Sequence, residues 1–531
     1  MTPGMTGTGR TVLSGDDIST FDVKVLGVLP DAIFLGIDVI VMEMTGPAEV
    51  LDLTGGAIAG MSGSPVYLNG KLAGALAWAI AENRHIFGVT AAEDMMSLFD
   101  VAAGSLKPMP TEIALTREAR LAVARATGSS LESTASTMEA LPIPLGVSGT
   151  GASSLAEIEG TFAEHGIPVT AFRAGSAVAP TDVTLDPTPL VPGGGFGMGL
   201  SYGDVSWYGF GTTTAVCGDY AIGWGHPYWG TGDVSMGLND VNVIAIDNGA
   251  FWGTKIGTLT EAHGTMTEDR FPGVVGTFGV LPHLIPIDSA FSSPDTGLAR
   301  DGHTDVAWDE GWFVAEAAWA HASSNVGYVM QAEAPGTLGL SWNIRGTLAD
   351  GTPFTISNRT MQFSEWSASE GIWRMSDALY TLVYSGFDPV TFTGVDMAGT
   401  VTEQNLTAKI VKVRVASSLQ PKLRTRDLLK ARPGDQVTVE VTLDPVDGAN
   451  VVATGTFEVP KDVKGVHEIL LRGGHDRWRY GNADSIEELI DQLSGGEHPN
   501  DLILQGLGSS YTWEQGVVVS GKHRFSVKII R

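Results

Sequence analysis

The sequence lacks the features that mark a disulfide-stapled, nucleic-acid-binding or membrane-spanning protein. Its 531 residues contain one cysteine, Cys217, which excludes an intramolecular disulfide and argues against a cysteine-rich metal site. We expect this cysteine to be buried. Lysine and arginine number 32 against 60 aspartates and glutamates, and the resulting net charge of −28 disfavours nucleic acid and anionic membranes as partners. No apolar run approaches the length of a membrane span.

Targeting and cofactor signals are also scarce. Residues 1–15 contain no basic stretch followed by an apolar one, so no secretory signal peptide is predicted there. No motif implies a metal or an organic cofactor, and the pattern gives no indication of the oligomeric state. A glycine-rich stretch at 192–199 lacks the Gly-Lys-Ser/Thr of a phosphate-binding loop, so a backbone turn is predicted there.

What the sequence does contain is typical of a mostly β protein. It has 68 glycines, and short Val- and Thr-rich runs alternate with Gly, Pro, Asn and Asp. A chain of 531 residues is too long for one core, so several domains are expected. Helical periodicity appears over 111–126 and 153–166, and one short helix is predicted near the C-terminus in "SIEELIDQLSGG". The alternating run 433–445 predicts a β-sandwich strand.

Three local patterns predict the structure of the first hundred residues. Asn69-Gly70 between two apolar runs predicts a tight β-hairpin. Residues 21–44 are predicted to form two strands around the turn at Pro30-Asp31. A short helix is predicted over 89–99, with Thr90 as its N-cap and Glu93 three residues on.

The most informative motif is Gly-Met-Ser-Gly-Ser-Pro at residues 60–65, which lies between apolar runs. A serine nucleophile needs a base and two N–H donors for the developing oxyanion, and a Gly-X-Ser-Gly turn can supply the donors. This assigns Ser62 as the candidate nucleophile and the amides of Gly60 and Ser62 as the candidate oxyanion hole. Ser64 is the second choice, because trypsin-like proteases usually carry glycine at that place. The structural alternative is a plain turn of small residues.

Among 11 histidines, His226 is the strongest candidate base. It follows Gly-Trp-Gly at the end of a strand-like run and precedes a proline, which predicts an imidazole fixed on a turn. His85 lies in a predicted strand, and neither His263 nor His283 has both a glycine turn before it and a proline after it. A structural histidine is the alternative interpretation.

The acid that would orient the base is left open by the spacing. Asp240 is chosen because it enters a strand shortly after the histidine turn. Four other carboxylates compete with it: Asp233, Asp247, Glu49 and Asp52.

Several of these segments resemble the SpoIVB-type serine peptidases, the sporulation stage IV B family. The resemblance is carried by "GMSGSPVYLNGKLAGALAWAI", by the run-up "TGTGRTVLSGDDISTFDVKVLGVLPDAI" and by the follow-on "FGVTAAEDMMSLF". The histidine segments "LSYGDVSWYGFGTTTAVCGDYAIGWGHP" and "GTLTEAHGTMTEDRFPGVVGTFG" extend it, so that it covers about residues 5–285. The resemblance implies a chymotrypsin-like, two-barrel endopeptidase outside the cytoplasm, with Ser62 as nucleophile and His226 as base.

The sequence departs from the family pattern in two ways. In the sporulation proteases the histidine segment precedes the serine segment, whereas here the serine comes first, as after a circular permutation. The family's aspartate lies just before its serine motif, where this chain offers Glu49 and Asp52 at other offsets. The chain also shows no PDZ-like segment.

These observations predict five parts of a mostly β serine endopeptidase acting on protein or peptide. They are a serine-bearing barrel half (1–105), a helical insert or connector (106–180), a histidine-bearing barrel half (181–290), a β-rich domain (291–420) and a β-sandwich-like domain (421–531).

Two alternatives remain: an inactive protease-fold scaffold or binding protein at the cell surface, and a carbohydrate-binding or carbohydrate-active protein. The second draws on 13 tryptophans, four of which lie in the peptidase-like part: Trp207, Trp224, Trp229 and Trp252.

Overall fold

A computed structural model describes residues 1–100, 111–150, 155–186, 188–249, 252–474 and 483–530. The expected mostly β fold class is confirmed, with 53% of the residues in strands and 16% in helices. The chain divides into two compact units, residues 1–286 with 304–313, and residues 287–303 with 314–531. The boundary predicted between residues 105 and 106 lies outside the described residues.

The first unit begins with a closed six-stranded barrel. Its strands are β1 (Thr6–Ser14), β2 (Asp17–Phe34), β3 (Ile37–Gly46), β4 (Pro65–Leu68), β5 (Lys71–Ile80) and β6 (Asn83–Ala91). The order is β4-β1-β2-β3-β6-β5, and pairing of β4 with β5 closes the ring. The core inside it is built from alternating apolar residues of these strands and includes Ile58 and Met61, which precede the candidate nucleophile. The serine motif is therefore anchored in the barrel core.

Local expectations for this barrel have mixed outcomes. The Asn69-Gly70 hairpin is confirmed, and both of its turn residues have positive φ, as a tight two-residue turn requires. The turn predicted at Pro30-Asp31 is wrong, because β2 continues through it to Phe34 and the chain reverses at the following two residues. Asp31 with φ 53° instead marks an irregularity in the register of β2 with β3.

The segment between the barrels contributes both helices and strands. Its strands are β7 (Glu112–Ala114), β8 (Thr137–Ala140), β9 (Ile143–Ser148) and β10 (Val169–Arg173). β7 and β8 extend the first barrel's sheet beyond β5, and β9 and β10 extend the sheet of the second barrel. The region predicted as a helical insert or connector (106–180) therefore also supplies the strands that border the two barrels.

A second closed ring of six strands follows. The strands in this region are β11 (Gly195–Gly199), β12 (Ser201–Gly203), β13 (Ser206–Cys217), β14 (Tyr220–Gly223), β15 (Gly232–Asp247), β16 (Thr254–Arg270) and β17 (Gly273–Phe278). The ring has the order β13-β11-β15-β16-β17-β14 and is closed by pairing of β13 with β14. Cys217, expected to be buried, is exposed because it ends β13 at the β13–β14 turn. The serine-bearing barrel thus precedes the histidine-bearing one.

The second unit contains one open sheet and a C-terminal sandwich. The open sheet has the order β19-β18-β22-β20-β21, with strands β18 (Ile285–Ser292), β19 (Ala299–Val306), β20 (Gly336–Thr347), β21 (Pro353–Ser364) and β22 (Thr391–Thr402). The first residues of β18 and the last three of β19 belong to the first unit, where β19 pairs with β12.

Two further five-stranded sheets share one apolar core that contains Val439 of one sheet and Leu471 of the other, as expected for a β-sandwich. Their strands are β23 (Thr407–Ser417), β24 (Gln420–Arg424), β25 (Leu428–Ala431), β26 (Gln436–Pro445), β27 (Val451–Glu458), β28 (Gly465–Gly473), β29 (Asp501–Gly506), β30 (Ser509–Glu514), β31 (Val518–Ser520) and β32 (Lys522–Ile529).

Helices are few in the described part of the chain. The α-helices are α1 (Ala48–Thr54), α2 (Ala92–Met96), α3 (Arg117–Thr127), α4 (Leu155–Glu164), α5 (Gly311–Met330), α6 (Trp373–Val383) and α7 (Ile486–Ser494). Short 3-10 turns cover Ser97–Asp100 and Ala368–Ile372. Thr90 is not the N-cap of α2, because it still belongs to β6 and Ala91 takes that position. Within the described residues no helix is long and apolar enough to span a membrane.

Candidate active site

The serine loop, residues 59–64, lies in the connection between α1 and β4, and only some of its backbone N–H groups have an acceptor among the described residues. Two positive-φ glycines, Gly60 at 90° and Gly63 at 94°, allow its sharp bends. A Cβ atom on Gly63 would lie 1.8 Å from the carbonyl oxygen of Thr212, so no other residue fits there. The N–H groups of Met61, Gly63 and Ser64 donate to backbone carbonyls within the first barrel.

The amides of Gly60 and Ser62 behave differently from those three. In the described part of the chain neither of them donates a hydrogen bond to another protein group. They are the two amides that the sequence assigned to the oxyanion hole. Both therefore remain available to a bound oxyanion.

The carbonyl groups of the serine loop are held by β13 of the second barrel. The Ser62 carbonyl accepts from the Thr212 amide at 2.7 Å, and the Gly60 carbonyl accepts from the Thr212 hydroxyl at 3.0 Å. The Gly63 carbonyl accepts from the Thr214 hydroxyl at 2.7 Å. Three of the six loop residues are thus fixed through their oxygens by two threonines.

A buried lysine, Lys255, packs against the serine loop and bonds to one of these threonines. Lys255 Nζ donates to the Thr11 hydroxyl at 2.8 Å and to the Thr212 hydroxyl at 3.4 Å, and its aliphatic chain packs against Gly60. Burial removes the ammonium from water and lowers the pKa of Lys255 to about 7. This amine connects strands of both barrels beneath the serine loop.

His226 lies on the loop after β14, and its ring contacts the predicted nucleophile. Its Nε2 atom is 2.8 Å from Ser62 Oγ, and its Nδ1 atom is 2.7 Å from the Pro227 carbonyl oxygen. Because a carbonyl oxygen can only accept, Nδ1 carries the proton and Nε2 of the neutral ring is the acceptor for the serine hydroxyl. The structure therefore brings Ser62 and His226 together in the tautomer that a general base requires.

Burial also keeps this imidazole neutral. Desolvation lowers the pKa of His226 to about 4, and the hydrogen bond to Pro227 opposes that shift only partly. Two tryptophan rings pack at steep angles against the imidazole, with centroid distances of 6.4 Å to Trp78 and 5.8 Å to Trp224. At neutral pH the ring is free to accept a proton.

Two contacts fix the histidine loop, residues 224–230. The Thr90 hydroxyl donates to the Gly225 carbonyl at 2.5 Å and accepts from the indole N–H of Trp78 at 3.1 Å. The buried carboxylate of Asp269 accepts three consecutive backbone N–H groups at 2.7–2.8 Å, those of Tyr228, Trp229 and Gly230. Burial raises the pKa of Asp269 to about 6, although the three donors favour its charged form.

The acid chosen from the sequence does not reach the base. Asp240 lies on β15, half buried, and its carboxylate accepts from the backbone N–H of Val241 at 2.7 Å. The competing carboxylates are all exposed and none bonds to the imidazole within the described residues: Asp233, Asp247, Glu49 and Asp52. The Pro227 carbonyl occupies the position that a triad carboxylate would take. The spacing of acidic side chains in the sequence gives no sign of this acceptor, because it is a main-chain carbonyl.

Sequence reasoning also missed the supporting residues Thr90, Thr212, Lys255 and Asp269. Each acts through a partner that lies 40 or more positions away in the chain. The one local signal was a lysine inside an otherwise uncharged strand-like run at 252–260. A lysine in such a run is unusual, because lysine is almost never fully buried.

Comparison with known proteins bears on the first barrel. Residues 6–96 match the model of the family described as SpoIVB peptidase S55. The first barrel is therefore similar to the peptidase segment of that family. The resemblance predicted from the serine motif is confirmed over these residues, and it supports a serine peptidase acting on protein. The match ends before the histidine loop. Among curated proteins and solved structures, nothing matches the chain.

Proposed function

We propose that the protein is a serine endopeptidase that cleaves peptide bonds through an acyl-enzyme on Ser62. The observation that carries the proposal is the 2.8 Å contact between Ser62 Oγ and His226 Nε2, inside a barrel pair whose first barrel is similar to a SpoIVB-type peptidase segment. Neither the scaffold alternative nor the carbohydrate alternative is favoured by the family match.

The chemistry follows from the placement of these groups. Ser62 Oγ attacks the carbonyl carbon of the scissile bond while its proton passes to His226 Nε2. The negative charge on the carbonyl oxygen is bound by the unpaired amides of Gly60 and Ser62. When the C–N bond breaks, the imidazolium returns the proton to the leaving amine, and a water then hydrolyses the ester by the same route.

The Pro227 carbonyl has the role that a carboxylate has in a Ser-His-Asp triad. It accepts the Nδ1–H bond, fixes the ring and stabilises the imidazolium with a dipole rather than a full charge. The site is therefore a dyad with a backbone acceptor. A dipole stabilises the imidazolium less than a carboxylate does, and we expect moderate rather than high turnover.

Labelling with a fluorophosphonate probe tests this proposal. The probe forms a covalent bond with an activated serine, so wild type should label, and Ser62→Ala and His226→Ala should not. Ser64→Ala is the matched control, since Ser64 Oγ is buried and has no hydrogen-bond partner in the described residues. Labelling lost only in Ser64→Ala would assign the nucleophile to the other serine, and folded wild type that never labels would contradict the proposal.

The location outside the cytoplasm, expected from the family resemblance, is part of the same proposal. Cell fractionation of the producing organism tests it, and recovery of the protein with cytoplasmic markers would contradict it.

A further inference from the structure

A cavity of about 210 Å³ lies in the first unit, directly beside the candidate base. Its wall includes His226 and the two aromatic residues that follow Pro227, which are Tyr228 and Trp229. The opposite wall is formed by Ile143 and by the turn that precedes β10. A group in this cavity therefore lies beside the residue whose ring bonds Ser62 Oγ.

The part of the cavity wall that the described residues form carries no carboxylate, ammonium or guanidinium group. None of the described residues that line it is Asp, Glu, Lys or Arg. Burial of a lysine or glutamate side chain without an ionic partner is strongly unfavourable. The cavity therefore selects against charged side chains.

The volume of the cavity is sufficient for one aromatic ring. A cavity of about 150 Å³ in a protein core is enough to hold a benzene molecule, and this one is somewhat larger at 210 Å³. Aromatic rings already meet edge to face along its wall, since Trp229 packs against His165 with a centroid distance of 6.2 Å. A further ring can take an offset or edge-to-face position against these neighbours.

We propose that this cavity binds an uncharged aromatic side chain of the peptide substrate, within two residues of the bond that Ser62 attacks. The inference rests on the proposed peptidase function, and it adds the class of residue that the enzyme selects. The distance limit follows because the cavity wall includes His226, whose Nε2 contacts the nucleophile.

A peptide library tests the inference on the wild-type chain. Digestion of a proteome-derived library, followed by sequencing of the new ends, should show Phe, Tyr or Trp enriched at one position within two residues of the cut. Quenched peptides with Phe, Gly or Lys at that position should then differ in kcat/KM, with Phe favoured over Lys by about tenfold or more.

A pair of matched variants next to the paired strands β7 and β8 adds a structural readout. Thr111 lies on the exposed rim of the cavity, and Thr111→Trp should reduce the Phe-to-Gly ratio of kcat/KM by about tenfold, mainly through KM. Ser136→Trp introduces the same side chain at an exposed position outside the cavity and should leave that ratio unchanged.

The outcomes separate the two proposals. Cleavage that depends on Ser62 but shows no aromatic selection, or selects a charged residue, would overturn the inference and leave the peptidase function standing. Absence of both probe labelling and cleavage in folded wild type would overturn the function and the inference with it. If Thr111→Trp does not fold, the wild-type cleavage profile still decides.

Discussion

The serine loop and the histidine loop face each other across the two barrels, and the side chains that hold them bond mainly to opposite ends of the peptide group. The serine loop is fixed through its carbonyl oxygens, which accept from Thr212 and Thr214. Residues 228–230 of the histidine loop are fixed through their N–H groups, which donate to Asp269. In the serine loop the N–H groups of Gly60 and Ser62 have no acceptor among the described residues, and in the histidine loop the Pro227 carbonyl accepts from the imidazole.

Under the proposed mechanism, this difference lets one site bind an oxyanion and stabilise an imidazolium. A loop held by its oxygens presents donors to a developing oxyanion. A loop held by its N–H groups presents an acceptor to the Nδ1–H of an imidazolium. In both loops the backbone, and not an extra charged side chain, meets the reacting groups.

The largest effect is expected on the histidine side. Asp269→Ala leaves three buried N–H groups without an acceptor, and each such group costs about 1–3 kcal/mol. We expect a loss of unfolding free energy of about 3–5 kcal/mol and a fall in kcat of about a hundredfold, as the loop moves His226 away from the serine.

Asp240→Ala is the comparison for that variant, because Asp240 accepts only from its neighbour's N–H. It should cost about 1 kcal/mol and leave kcat unchanged. Denaturant titrations and steady-state assays at pH 7 measure both. A fall in kcat that is larger in Asp240→Ala than in Asp269→Ala would restore a carboxylate triad and contradict the dyad.

A smaller effect is expected from the serine side. Thr212→Val removes the hydroxyl that donates to the Gly60 carbonyl, and loss of about one hydrogen bond should slow fluorophosphonate labelling about tenfold. Thr213→Val is the matched control, since the next hydroxyl along β13 donates to Gly195, away from the loop. Labelling rates that fall equally in both variants would show a general loss of stability instead of a displaced serine loop.

The smallest effect on turnover is expected from Lys255→Met, which should instead change the pH dependence of stability. Burial lowers the pKa of Lys255 from 10.5 to about 7. Between these values the unfolded chain binds the proton and the folded chain does not, so the free energy of unfolding rises with pH by up to about 1.4 kcal/mol per unit.

The lysine-to-methionine variant should lack that contribution. Chemical denaturation at pH 7, 8 and 9 compares the two proteins. If the free energy of unfolding changed with pH equally in wild type and variant, the buried amine would have to stay charged in the folded protein. An ammonium rather than a neutral amine would then hold Thr212.

The sequence was informative where function needs unusual local backbone. Gly60, Gly63 and the glycine before His226 all have positive φ. These glycines marked, in the sequence, the two loops that the fold brings together. The Asn69-Gly70 turn was predictable for the same reason. Their chemical roles remain proposals.

The sequence was uninformative where a residue acts through distant backbone. Thr90 has the residue type and the spacing of an N-cap, but its hydroxyl instead bonds a carbonyl 135 positions later. Asp269 has no local feature that sets it apart from exposed acids, and only the barrel closure places it beneath the histidine loop. Pro227 contributes through its carbonyl, which every residue possesses, so its side chain gives no signal.

The order of the two barrels has a consequence for synthesis. The serine barrel closes with β6 at residue 91, whereas the threonines, lysine, histidine and aspartate that complete the site lie between residues 212 and 269. Domains emerge and fold from the N-terminus as the ribosome proceeds. Under the proposed mechanism, the nascent chain carries Ser62 without its base for well over a hundred residues, and it cannot cleave itself or its neighbours before the second barrel is made.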